Sequence, residues 1–138
     1  MNDSLLTEKS TLTLAAAKKI IAAAEVEALK HTWPVVIAVV DDGGNLICLQ
    51  RLDNAQFGSV EIAIRKASAA VAFKRPTKAW EELLASGQQR VLGLPGVLPS
   101  EGGLPLTWKG QIIGAIGVSG VKASEDGQIA RAGAFVLE

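Results

Sequence analysis

Residues 35–51 read Val35-Val36-Ile37-Ala38-Val39-Val40, then Asp41-Asp42-Gly43-Gly44-Asn45, then Leu46-Ile47-Cys48-Leu49-Gln50-Arg51. An apolar, largely β-branched run, a cluster of turn formers and a second mostly apolar run predict a β-hairpin. The first strand has no polar side to turn to water, so it belongs in the middle of a sheet, buried on both faces. Upstream, Leu14, Ala17, Ile21, Ala24 and Ala28 recur at three- and four-residue steps. That spacing predicts a helix from Leu14 to about Lys30, capped by Thr13. Downstream, Ile62, Ala63, Ile64, Ala67, Ala70, Val71 and Phe73 predict a second helix, capped by Ser59 and ended by Pro76, with Thr77 capping a short third helix from Lys78 to Ala85.

Beyond that point the chain changes character, since 11 of its 14 glycines lie from Gly87 onward. Between Gly93 and Pro105 four Gly and three Pro predict a structured loop or lid with no regular element. Leu106 to Trp108, the turn Lys109-Gly110 and Gln111 to Ser119 form a second hairpin, and Ser124 caps a final helix carrying Ile129, Ala130, Ala134 and Leu137. The order is α-β-β-α-α-β-β-α, with an extra edge strand around Thr7 to Leu12. Hairpins imply an antiparallel sheet, and helices before, between and after them cover both of its faces. The expected fold is a single α+β domain over residues 1–138, a three-layer α-β-α sandwich with no internal linker.

Composition narrows the function. A chain of 138 residues, 49% hydrophobic, holds a core without disulfides or structural metal. With one Cys, one His and one Met there is no cluster of soft ligands for a zinc or iron–sulfur site. Fourteen basic residues balance fourteen acidic ones, which gives no electrostatic footprint for nucleic acid. No apolar run approaches the roughly 18 to 20 residues of a membrane span, and MNDSLLTEKS lacks the basic and apolar segments of a signal peptide. A soluble, cytoplasmic protein is expected. Its mean hydropathy of +0.28 with balanced charge suits a chain that buries further apolar surface in a homo-oligomer, a dimer or larger.

Four segments stand out: Val39-Val40-Asp41-Asp42-Gly43-Gly44, Arg51-Leu52-Asp53-Asn54-Ala55, Arg75-Pro76-Thr77, and Glu101-Gly102-Gly103-Leu104-Pro105 followed by Gly114 to Gly120. Their order and spacing, over about Leu12 to Ala134, resemble the GlcG/HbpS family of haem-binding or haem-associated proteins, found also as the C-terminal domain of PduO-type proteins. The resemblance implies a profilin-like antiparallel sheet between helices and an oligomer that binds haem, a related tetrapyrrole or another small ligand. It places ligand contacts at Arg51, Asp53, Arg75 and Thr77, and at Gly102, Gly103 and Ser119.

The residues themselves add detail. Successive glycines at 102 and 103 can present backbone N–H groups to an anion or form a plain turn. Gly114, Gly117 and Gly120 admit either a ligand or a helix close to the sheet. His31, the only imidazole, is the one strong nitrogen donor available to haem iron, and at a helix end it also serves as a favourable cation. Lys66 lies among Ala63, Ala67 and Ala70 on an apolar helix and needs a carboxylate, from Glu101 or Asp53, or a lowered pKa. That residue sustains an alternative in which Lys66 and Glu101 are acid/base groups of a metal-independent enzyme acting on a small hydroxy or oxo acid or other carbonyl compound. In a third reading the loops serve assembly alone.

Overall fold

A computed structural model describes residues 3–138; Met1 and Asn2, part of the N-terminal stretch read above as lacking a signal sequence, lie outside them. The continuous apolar run does form the central strand. β1 (Val36–Asp41) pairs antiparallel with β2 (Leu46–Arg51) on one side and β4 (Gln111–Ser119) on the other, and β3 (Gly103–Trp108) closes the far edge, giving the order β2-β1-β4-β3. Asp41 fixes the first turn because its carboxylate accepts from the backbone N–H groups of Gly43 and Asn45, both at 2.9 Å.

Side-chain alternation divides the core between the two faces. Val35, Ile37, Val39, Ile116 and Val118 pack with Ile20, Ile21 and Ala24 of α1 (Leu14–Lys30) and with Ile129 and Ala130 of α4 (Ala123–Ala134). Val36, Ala38, Val40 and Ala115 meet Ala63, Ala67 and Ala70 of α2 (Gly58–Ala72) on the other face. The expected three-layer α-β-α sandwich is therefore present, with α3 (Thr77–Ala85) following α2. No helix among the described residues is long and apolar enough to cross a membrane.

Several local expectations are corrected. No strand forms at residues 7–12, although Leu12 is buried in the core. Strand β3 starts at Gly103, inside the stretch expected to be irregular; Pro105 is tolerated there because β3 is an edge strand with one side free of ladder bonds. Thr13 caps α1 as expected, accepting from the Ala16 N–H at 3.1 Å. Ser59 lies inside α2 and is buried, with its hydroxyl 3.1 Å from Gln56 Nε2. Thr77 is the first residue of α3, and its hydroxyl is used elsewhere. At α4, Glu125 closes the helix start by accepting from the Lys122 N–H, and Ser124 sits within the helix.

Candidate functional site

Sheet register carries Arg51, Ser119, Gly102 and Gly103 to one end of the molecule, while the turn at Asp41 to Asn45 lies at the other. Arg51 pairs with Val36, and Val36 pairs with Ser119. Next to them Gly102 O accepts from Val118 N–H, and Gly103 opens β3 opposite Gly117. The end of β2, the start of β1, the end of β4 and the start of β3 thus lie in one row, with two distinct sites at its two sides.

At the β2 side an open groove of about 480 Å³ runs between the C-terminal end of α1 and the loop after β2. Leu29, Trp33, Pro34 and Leu52 give it apolar surface, while Glu25, Gln50, Arg51, Asp53 and Asn54 supply polar groups. Two residues in left-handed backbone, Thr32 at φ 56° and Asn54 at φ 70°, turn the chain at its rim. His31 borders it. The imidazole stacks on Trp33 with ring centroids 4.1 Å apart, and its Nε2 is 3.1 Å from Glu27 Oε2 and 3.3 Å from Gln128 Nε2. Hydrogen bonds from Gln128 and His31 hold the Glu27 carboxyl below its usual range.

On the opposite side, Lys66 is 2% exposed and Asp126 likewise 2%. Lys66 Nζ donates to Asp126 Oδ2 and to Val118 O, each at 3.0 Å. The carboxylate partner is therefore Asp126, correcting the expected Glu101 or Asp53. Burial pushes the Asp126 carboxyl up to about 6 against the opposing pull of the Lys66 ammonium. Glu101 instead accepts from Arg131 Nη1 at 3.2 Å, and it fits against α4 only because residue 127 is glycine; a Cβ there would collide with the Glu101 carboxylate. The acid/base pair of the alternative reading is thereby split between two different ion pairs.

The glycines of this site are fitted to protein. A Cβ at Gly102 would lie 2.5 Å from Val118 O and 2.8 Å from Lys66 Nζ, and one at Gly103 would strike Lys66 O. Gly103 N–H donates to Thr77 Oγ1 at 2.9 Å, so that amide is already engaged and Thr77 is a clasp between α3 and β3. Gly117 likewise receives α2, whose Ala63 carbonyl occupies the space of a side chain. A small cleft of about 170 Å³ remains, lined by Pro76, Lys78, Glu101 to Leu104, Gly127, Ala130 and Arg131. Arg75 belongs to neither site; its guanidinium lies 4.7 Å over the Trp80 ring and its Nε donates to Phe73 O.

The sequence reading omitted Asp126 as the partner of Lys66, Arg131 as the partner of Glu101, and Trp33 as a groove wall. The signal for Trp33 was local, an indole between the only His and the Pro that starts the sheet. The other two pairings depend on where α4 docks.

Comparison with known proteins bears on the family and the fold. The family model described as haem degrading protein HbpS-like matches residues 12–134. Protein GlcG of Escherichia coli strain K12 is 43% identical over 111 residues, covering 80% of this chain and 83% of that protein. A crystal structure of HbpS superposes with a TM-score of 0.90 at 40% identity, covering 100% of this chain and 98% of that one. A crystal structure of a PduOC:haem complex gives 0.84 at 27% identity, covering 94% and 96%. A family match over nearly the whole length, on the same sheet and helices, establishes that the chain belongs to the HbpS-like family.

Proposed function

We propose that this protein binds haem or a related tetrapyrrole in the groove between α1 and β2, as a cytoplasmic homo-oligomer. The observation that carries the reading is the groove itself: about 480 Å³, open along one side, apolar at Leu29, Trp33, Pro34 and Leu52, with Arg51 at its polar side. A flat macrocycle with an apolar face and anionic propionates matches that division, since a guanidinium forms strong charge-assisted bonds to carboxylate. The cleft beside Gly102 and Gly103, about 170 Å³, is much smaller. The family description and the PduOC:haem complex, which shares this fold, support the same ligand class.

His31, stacked on the groove-wall residue Trp33, is the candidate iron ligand. Its contacts to Glu27 and Gln128 both use Nε2, which leaves Nδ1 as the donor toward iron. Bound haem would supply the iron chemistry; the chain supplies Arg51 as propionate clamp and Trp33 as an aromatic wall.

Titration of the purified protein with haemin, followed in the Soret band, tests this reading. Saturable binding is expected, with Arg51→Ala weakening it about tenfold through the lost charged contact and His31→Ala altering the band position. Absence of any saturable Soret change beyond that of a non-binding control protein contradicts it.

A further inference from the structure

Three charged side chains line the groove between α1 and β2: Glu25, Arg51 and Asp53. Among the described residues none of the three forms a salt bridge, so their charges are open to a ligand. They stand on different sides of it. Register pairs Gln50 with Ile37, which packs toward α1, and Arg51 with Val36, which packs toward α2. Directly paired residues point the same way, so Gln50 faces α1 and Arg51 leaves the other side of this edge strand. Gln50 Nε2 donates to Glu25 Oε2 at 2.6 Å and ties β2 to α1. That amide fixes the half-buried Glu25 carboxylate in place but brings no charge to neutralise it.

We infer that Glu25 is a specificity-determining residue of the groove, restricting it to tetrapyrroles whose carboxylates stand together on one edge, with that edge at Arg51 and the carboxylate-free edge toward Glu25. The inference rests on the tetrapyrrole reading and narrows it. A flat macrocycle lying against Leu29, Trp33, Pro34 and Leu52 presents one edge to Arg51 and another to Glu25. Carboxylates at the first edge meet a guanidinium. A carboxylate at the second meets a fixed carboxylate that is partly removed from water, where like charges repel more strongly than in bulk solvent. Asp53, exposed on the loop after β2, adds a second negative charge to the lining, so one cation faces two acids. Solvent and salt screen Asp53 more than they screen the half-buried Glu25, which therefore does most of the selecting. Repulsion built against the wrong ligand separates two macrocycles whose ring systems are the same.

Two probes test it by fluorescence titration of the purified protein: zinc protoporphyrin IX, with its propionates on adjacent pyrroles, and zinc coproporphyrin III, with a propionate on every pyrrole. Wild type should bind the first more tightly by about tenfold or more. Because the two probes also differ in apolar groups, the decisive quantity is how the ratio of their dissociation constants responds to residue 25. Glu25→Gln, which keeps the shape and removes the charge, should raise affinity for coproporphyrin about tenfold more than affinity for protoporphyrin. Glu25→Lys should move the ratio further in the same direction. A merely structural role for Glu25 would change both affinities alike. A ratio unmoved by both variants while protoporphyrin still binds overturns the inference and leaves the tetrapyrrole reading standing. Wild type that binds neither probe saturably overturns that reading, and the inference with it.

Discussion

Lys66 and Asp126 are the most consequential pair of residues in the molecule, because both are removed from water and their partners are fully specified. Lys66 fastens α2 to the last turn of β4 through Val118 O and to α4 through Asp126, whose other oxygen accepts from the Val121 N–H at 3.2 Å. Removing the ammonium leaves a buried carboxylate without its partner, so Lys66→Met should cost about 3–5 kcal/mol in denaturant unfolding at neutral pH. The double replacement Lys66→Met/Asp126→Leu should recover a large part of that loss. The sign of the pH effect follows from the raised carboxyl. Between the ordinary value of 3.8 and about 6 the native state holds a proton that the unfolded state releases. Stability from this group is therefore present below pH 3.8 and declines as pH rises to about 6, by up to about 3 kcal/mol. Wild type should show that decline relative to Asp126→Asn; equal pH profiles would refute the assignment. A buried lysine was legible from its alanine neighbours, but its partner lies 60 residues away and is chosen by helix docking that no local pattern encodes.

At the level of elements, contact between α2 and β4 sets how closely helix and sheet approach. Gly117 lets the Ala63 carbonyl lie on the strand. Gly117→Ala should cost about 3 kcal/mol or more, because backbone rather than a flexible side chain must move, and thermal melts would register it. Retention of wild-type stability would show that the helix can lift without penalty. Thr77→Val tests the clasp between α3 and β3: losing the acceptor for the buried Gly103 N–H should cost about 1–3 kcal/mol. These elements also show what sequence pattern can and cannot decide. β1 and β2 were readable because apolar, β-branched runs around an Asp-Gly turn have one common solution. The start of β3 was not, since Gly103 and Pro105 carry loop chemistry and become a strand only through pairing with β4. Capping assignments at Ser59 and Thr77 failed for a related reason: a hydroxyl near a helix start has other partners in a folded protein, Gln56 for Ser59 and Gly103 of β3 for Thr77.

Across the whole molecule, the fold collects Arg51, Ser119, Gly102 and Gly103 at one end of the sheet but into separate sites. Arg51 and Asp53 line the groove; Thr77, Gly102 and Gly103 join the Lys66 network; Arg75 lies on Trp80. Motif order indicated a common region, while the division between a groove and a buried tie came from strand register and from the docking of α4. The central claim is that the groove, rather than the Gly102-Gly103 cleft, receives the tetrapyrrole. Backbone amide shifts in nuclear magnetic resonance, followed as diamagnetic zinc protoporphyrin is added, test it most directly in a chain of 14.4 kDa. Saturable shifts concentrated at Leu29 to Pro34 and Gln50 to Asn54 are the predicted result. Shifts concentrated at Pro76 to Lys78 and Glu101 to Leu104, or none that saturate, would contradict the account.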